Sequence, residues 1–273
     1  MIVHLIDGTY ELFRHFYGLR RFNKGKDTPY GAAVGVLGTV IQMIETGATH
    51  LGVATDHVIE SFRNDLYDGY KTGEGIEPAL WAQFHPLEEA LVAMGVATWP
   101  MVELEADDGI ASAARIASED PRVEKISIWS PDKDLAQCVR GDRIVLVDRR
   151  GKKILNEAAV KEKFGVPPPL IPDYLALVGD AADGYPGLPG IGAVGAARLL
   201  ARYGGIESIP DDALRGARAQ ALLFKELATL RTDAPLFRDV ETLRWRGVTP
   251  GFEKLATTMD AARLVERCRK VAP

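Results

Sequence analysis

The chain has 273 residues, 47% hydrophobic and 26% charged, with a net charge of −5. This balance excludes a disordered chain and supplies enough apolar residues for one large or two modest packed domains. Cys138 and Cys268 lie far apart and outside any CxxC spacing, which excludes a disulfide scaffold and a cysteine zinc centre.

The opening MIVHLIDG is apolar for only a few residues before Asp7, too short for a signal peptide or a membrane span. A cytoplasmic protein without membrane contact is expected. Ile2–Ile6 is the first apolar run with strand character, followed by His50–Thr55, a weaker Val96–Met101, Glu124–Ser130 and Arg143–Asp148. Between them lie stretches of helical period at Tyr30–Glu45, Leu80–Met94 and Ala106–Ser118. The first of these opens after Pro29 and stops near Gly47, a proline start and glycine stop. Alternating strands and helices predict an α/β fold with a mostly parallel sheet covered on both faces.

After Lys153 the strands are expected to end. Helical stretches follow at Asn156–Phe164, Leu170–Val178, Ala193–Tyr203, Asp211–Thr229 and Met259–Lys270. Pro167–Pro169 marks the seam, giving an α/β part over 1–166 and a helical part over 167–273. Within the first part, Ile59–Gln83 is polar and glycine-bearing, with aromatic residues Phe62, Tyr67, Tyr70 and Trp81. A connection this long predicts a functional arch or lid at about 57–85.

The acids fall where strands end. Asp7 follows the first strand, Asp56 the second, and Asp132 and Asp134 the fourth. Glu105, Asp107 and Asp108 open a helix after the weaker strand, while Asp180 and Asp183 open a loop in the helical part. In open parallel sheets, ligands bind beyond the carboxyl ends of the strands. Nine carboxylates gathered there repel one another unless cations neutralise them, and an all-oxygen ligand set favours Mg²⁺ or Mn²⁺ over zinc. Two such ions about 4 Å apart serve phosphodiester hydrolysis. They would also bring the net charge from −5 to about −1, which answers the objection that a nucleic-acid protein should be basic. Taken singly, Asp7, Asp107, Asp132 and Asp180 read better as turns or helix N-caps; their joint placement favours the metal site. The Asp-nucleophile phosphatase pattern DxDxT fails, because its nucleophile position is Leu5.

The stretch LVGDAADGYPGLPGIGAVGAARLLARYG carries a tight hairpin at Pro186–Gly192 before a helix. Its glycines, Gly187, Gly190 and Gly192, expose backbone N–H groups suited to a phosphate, with Ile191 as an apolar anchor. An ordinary helix–turn–helix link is the plain alternative.

These motifs together resemble the 5′-3′ exonuclease and flap endonuclease family, which includes the N-terminal nuclease domain of bacterial DNA polymerase I. LIDGTYELFRHFYGL, TPYGAAVGVLGTVIQMIE, GVATD, SFRNDLYDGYK, EADDGIASAA, SPDKDLAQCV, GDAADGYPGLPGIG and LRTDAPL carry the resemblance along nearly the whole chain. It implies a PIN-like three-layer αβα core and a helical part with a helix–three-turn–helix module gripping duplex DNA. It also implies a metal-dependent 5′ nuclease acting on branched or frayed DNA as a monomer, with no small-molecule cofactor. One ion would lie near Asp7, Asp56, Glu105 and Asp107, the other near Asp132, Asp134, Asp180 and Asp183, with Asp108 completing the acidic set. Lys71 matches the arch lysine that contacts the scissile phosphate. Arg63 either binds phosphate or braces Asp56. Tyr67 and Tyr70 are candidates for stacking on unpaired bases, Trp81 for packing. Carbonyls of the Gly190-Ile191-Gly192 turn can hold K⁺.

The chain departs from the family pattern where DNA is gripped. Glu74 replaces the arginine of YKxxR, and Val194 and Gly195 replace the lysine and threonine of GIGxKTA. Ala182-Asp183-Gly184 stands for Ser-Asp-Asn, and Asn64 for the histidine of FRH. A catalytically lapsed DNA-binding protein and a nuclease acting on RNA or RNA–DNA hybrids are the alternatives to a DNA nuclease.

Overall fold

A computed structural model describes residues 1–23, 28–148 and 153–272 of the protein. Five parallel strands and one antiparallel edge strand form a single sheet in the order β3-β2-β1-β4-β5-β6. The strands are β1 (Ile2–Asp7), β2 (His50–Asp56), β3 (Ala97–Met101), β4 (Lys125–Trp129), β5 (Ile144–Asp148) and β6 (Lys153–Leu155). The central strands are buried on both faces, so they are apolar without strict alternation.

Helices α1 (Gly8–Asn23), α2 (Gly31–Glu45), α3 (Phe62–Leu66), α4 (Pro78–Trp81) and α5 (Phe84–Ala93) belong to the connections β1–β2 and β2–β3. The chain then reverses: α6 (Ala106–Glu119) carries it back across the sheet to β4, on the other side of β1. Because parallel crossovers are right-handed, reversing direction moves the helix to the opposite face. The switch point therefore falls between β1 and β4, where a ligand crevice opens beyond the carboxyl ends.

The helical part continues through α7 (Glu157–Phe164), α8 (Ile171–Val178), α9 (Ala193–Tyr203), α10 (Arg218–Ala228), α11 (Phe252–Thr258) and α12 (Ala262–Val271). Two apolar clusters flank the sheet. One joins Val3, Leu5, Ile126 and Ile128 to Ile110 of α6, Leu175 of α8, Leu200 of α9 and Phe224 of α10. The other joins Ile6, Leu51 and Val53 to Leu37, Leu87, Phe252 and Val265. The helical part is thus built onto both faces: α8–α10 share the core of α6, whereas α11 and α12 return to pack with α2 and α5. The expected αβα layering is present. Packing does not follow the proposed seam at 166/167, because one core runs across it.

Several boundaries differ from expectation. Strands do not stop at Lys153: β6 pairs antiparallel with β5, Leu146 opposite Leu155. An edge strand of only three residues is too short to leave a periodic signature. The helix expected over Asp211–Thr229 starts only at Arg218, because Arg215 (φ 58°) and Gly216 (φ 77°) turn the chain left-handed. The expected Leu80–Met94 helix is split into α4 and α5, and Met259–Lys270 begins at Ala262, after Asp260 adopts φ 55°.

Candidate metal centre and arch

The fold delivers carboxylates from four strand ends and one loop to the switch-point crevice. Asp7 ends β1, where its Oδ1 accepts from the Tyr10 backbone N–H at 2.8 Å and its Oδ2 from the Ser130 hydroxyl at 3.0 Å. Ser130, just past β4, thus bridges the two strands that flank the switch point. Asp56 ends β2, and its Oδ1 receives the Ala106 N–H at 2.8 Å, joining β2 to the start of α6. Glu105 is the N-cap of α6, while Asp107 and Asp108 lie in its first turn. Acids are favoured there because the first N–H groups of a helix lack partners. Asp132 accepts the Asp134 N–H at 2.9 Å, and the Asp180 carboxylate accepts the Ala182 N–H at 3.0 Å.

Asp134, Asp180 and Asp183 are buried, with carboxylate oxygens within 4.8 Å of one another. Among the described residues, Asp107 Oδ1 and Asp134 Oδ1 are buried acceptors without a hydrogen-bond donor. Unsatisfied carboxylate oxygens aimed into a shared crevice are costly unless a cation meets them. Their donor chemistry fits hard divalent ions.

Two lysines lie among these acids. Lys71 Nζ is 2.7 Å from Glu105 Oε2 and 3.0 Å from Asp183 Oδ1, linking the two groups of acids. Lys133 Nζ pairs with Asp180 and approaches Asp134 at 3.9 Å. Lys133 was missed in the sequence, although it lies between Asp132 and Asp134 in SPDKD. Its place between two acids was the one signal, and its close partner, Asp180, is brought to it only by the fold.

Electrostatics follow burial. Asp7 is pushed up to about 7 by burial, with Asp56 and Asp132 adding to the rise. Burial, together with the neighbouring carboxylates, also holds Asp107 and Asp134 well above the usual range. Asp56 and Asp183 are raised by burial, against the pull of Lys71. Glu105 behaves oppositely: burial pushes it up, but Lys71 and Arg63 outweigh that and hold it low.

Arg63 and Asp108 stand apart from this crevice. Arg63 is 1% exposed and every guanidinium donor is used. Nε donates to Leu227 O, Nη1 to Glu105 Oε1 and Asp108 Oδ2, and Nη2 to Asp108 Oδ1 and Thr229 O, all between 2.8 and 3.1 Å. Asp108 is fully buried and also accepts the N–H groups of Glu105 and Arg231. Neither residue retains a free valence for phosphate or metal. Arg63 is therefore a brace, of Glu105 and Asp108 rather than of Asp56, and Asp108 is its counter-ion.

The arch sits against the helical part. The Lys71 N–H donates to Asp183 O at 3.0 Å, and Gly184 (φ 90°) lies so close to Gly69 that a Cβ would be 2.1 Å from its carbonyl. Glycine at 184 is thus required both by conformation and by contact. Tyr70 is buried and Tyr67 packs edge-on against Phe224, which withdraws Tyr70 from base stacking. Trp81, expected to pack, stacks on Phe84 but leaves 40% of its surface exposed. In the hairpin, Gly187 (φ 69°) and Ile191 are buried and shape the turn, whereas Gly190 and Gly192 are exposed. Arg215 Nη1 donates to Pro189 O at 3.1 Å.

Comparison with known proteins gives a consistent picture. The family model of the 5′-3′ exonuclease N-terminal resolvase-like domain matches residues 2–165, and that of the 5′-3′ exonuclease C-terminal SAM fold matches 166–250. DNA polymerase I of Pseudomonas aeruginosa is 35% identical, over 88% of this chain and 28% of the polymerase. A 5′-3′ exonuclease of Buchnera aphidicola subsp. Schizaphis graminum is 30% identical, over 85% of this chain and 87% of that protein. The chain thus spans little more than a quarter of the polymerase relative and most of the exonuclease. Among solved structures, T5 5′-exonuclease with divalent metal ions (zinc) bound matches with a TM-score of 0.67 at 17% identity, over 99% of this chain and 98% of that one. The catalytic core of Rad2 in complex with DNA substrate gives 0.64 at 11% identity, over 98% and 91%. At such identities these structures establish the shared fold.

Removing the buried brace should be costly. Arg63→Ala is expected to lose about 3–5 kcal/mol in urea unfolding, and Arg63→Lys should not rescue it, because an ammonium cannot reproduce the planar fork. A loss below about 1 kcal/mol would refute the brace. The raised carboxylates predict a second effect. Protons held by Asp7 and its neighbours in the fold are released near pH 4 when the chain unfolds. Their contribution to stability therefore falls as pH rises toward about 7 for Asp7. In EDTA, the melting temperature should drop between about pH 5 and 7.5, and saturating Mg²⁺ should raise it more at the higher pH. An equal rise at both pH values would count against cation binding at these acids.

Proposed function

Because the chain belongs to the 5′-3′ exonuclease family, we propose that it is a working divalent-metal-dependent 5′ nuclease, hydrolysing DNA phosphodiesters near 5′ ends or single-strand/duplex junctions. The observation that carries this reading is the pair of orphaned, buried oxygens on Asp107 and Asp134, one in each group of acids that converge on the crevice. Asp7, Asp56, Glu105 and Asp107 would hold one Mg²⁺ or Mn²⁺, and Asp132, Asp134, Asp180 and Asp183 another. Bound there, the ions supply an activated water and stabilise the leaving oxygen.

The chain's own residues do the rest. Ser130, Ala106 N–H and Thr9, whose hydroxyl accepts the Asp56 N–H at 2.8 Å, fix the carboxylates so that little reorganisation is needed. Lys71, one-third exposed between the two groups, stabilises charge developing on the phosphate once substrate draws it from Glu105 and Asp183. The arch contains the single strand, and the exposed N–H groups of Gly190 and Gly192 hold the duplex backbone. Carbonyls of the Gly190-Ile191-Gly192 turn would hold K⁺, beside the Pro189 carbonyl that Arg215 already occupies. We further place the protein in the cytoplasm as a monomer. Free Cys138 and Cys268 accord with a reducing compartment, and among the described residues no helix is long and apolar enough to cross a membrane.

The altered grip residues support weakened DNA binding rather than lost chemistry. Val194, at the start of α9, is 74% exposed where the family pattern has a lysine, and Glu74 is exposed three residues beyond Lys71.

A 5′-labelled flap duplex is expected to be cut with Mg²⁺ or Mn²⁺ and to stay intact in EDTA or with Asp134→Asn. Lys71→Ala should slow cleavage by about 10²–10³-fold. Binding without cleavage under either metal would favour the lapsed-enzyme alternative, and cleavage confined to RNA-containing strands the ribonuclease one. Val194→Lys should steepen the dependence of log binding constant on log salt by about one unit. An unchanged slope would remove position 194 from the DNA path.

A further inference from the structure

The base of the arch carries a group of side chains that the nuclease reading does not use. His57 leaves β2 directly after Asp56, where the arch begins, and His85 and Glu88 lie in the first turns of α5, where it ends. One ring nitrogen from each histidine and one carboxylate oxygen of Glu88 all lie within 4.8 Å of one another. His85 and Glu88 are three residues apart, which puts both on one face of α5.

The surroundings differ from those of the carboxylate crevice. Glu88 is buried; its Oε1 accepts the Thr55 hydroxyl at 2.8 Å, and its Oε2 lies 2.8 Å from His57 Nδ1. His57 is anchored by its backbone N–H, which donates to Met101 O at 2.8 Å. The His57 and His85 rings stack at 4.2 Å with planes 8° apart. His85 is exposed, and among the described residues its Nε2 meets the His57 carbonyl, at 3.2 Å. Turning that ring gives up one long hydrogen bond and the stack on His57 and leaves the helix backbone in place.

We infer that His57, His85 and Glu88 form a binding site for a zinc-class transition-metal dication that clips the two ends of the arch together. Two imidazoles and one carboxylate make a three-ligand set with the fourth position open to water. Imidazole ligands select zinc, nickel and copper over magnesium, whereas the crevice offers oxygen alone, so the two sites sort different cations. The Thr55 hydroxyl is the outer hydrogen bond that orients the Glu88 carboxylate. A metal joining residue 57 to residue 85 closes the arch as a loop, which lowers the entropy of its open states.

The test titrates metal-free protein with Zn²⁺ or Co²⁺ in excess Mg²⁺, following uptake calorimetrically and the Co²⁺ visible absorption. His85→Asn, at an exposed position, is the main variant, and Asp134→Asn is the control at the crevice. One Zn²⁺ should bind the wild type and Asp134→Asn alike, and bind His85→Asn at least about tenfold more weakly. Equal binding to wild type and His85→Asn, or loss confined to Asp134→Asn, would overturn the site and leave His57–Glu88 as a plain hydrogen bond. Limited proteolysis within the arch tests the clip: Zn²⁺ should slow it in the wild type and have no effect on His85→Asn. Equal cleavage rates with and without Zn²⁺ in the wild type would overturn the clip.

Discussion

Repulsion between like charges at the carboxyl edge of one sheet is the constraint around which this protein is arranged. Parallel strands bring their ends to a common rim, and here four of those ends deliver acids, most of them buried, into one crevice. Burial alone raises Asp7, Asp107 and Asp134, and each carboxylate worsens the others. Positive charge must therefore enter from elsewhere in the chain or from solvent. Lys71 and Lys133 supply part of it, each touching a different subset of acids. Among the described residues, Asp107 Oδ1 and Asp134 Oδ1 still lack donors, so the protein's own cations leave part of this charge unmet.

Arg63 answers the same problem in a different way. Its guanidinium lies between the N-terminus of α6, where Glu105 and Asp108 gather, and the C-terminus of α10, where the Leu227 and Thr229 carbonyls face outward. The carboxylates sit at the partly positive start of α6, and the guanidinium that pairs with them also meets the partly negative end of α10. This joint ties the arch, the sheet and the helical part into one core. The segment Leu230–Leu236 follows the joint along α6, with Arg231 N–H on Asp108 and Ala234 N–H on Ser112. Moving Arg63 would break the core, whereas Lys71, one-third exposed, is held by its ion pairs with Glu105 and Asp183. That contrast separates the brace from the mobile cation next to it.

The acids at strand ends, the arch and the glycine hairpin were all visible in the chain before any coordinates, because each depends on local pattern. A strand followed by Asp, a long polar connection and a run of glycines carry their meaning within a few residues. Which polar residues are spent on structure was not visible. Arg63 and Asp108 are 45 positions apart, and their bidentate pair exists only because α3 and α6 meet. Tyr70, an aromatic residue in a polar connection, reads as a stacking candidate, yet the fold buries it. His57 and His85 gave no motif, since one lies on a strand exit and the other on a helix start.

The sequence by itself determined the layering and the list of acids, because strand and helix periods and their alternation imply a mostly parallel sheet covered on both faces. The strand order, and with it the switch point, came from the tertiary structure. Tertiary structure alone decided that Asp108 is taken up by Arg63 while Asp107 and Asp134 keep oxygens without donors. It also decided which cations are locked and which are free, and that α11 and α12 close the opposite face. The physical reason is range. Periodicity and capping act over a few residues, but Coulomb interactions and burial depend on distances that only the packed chain defines.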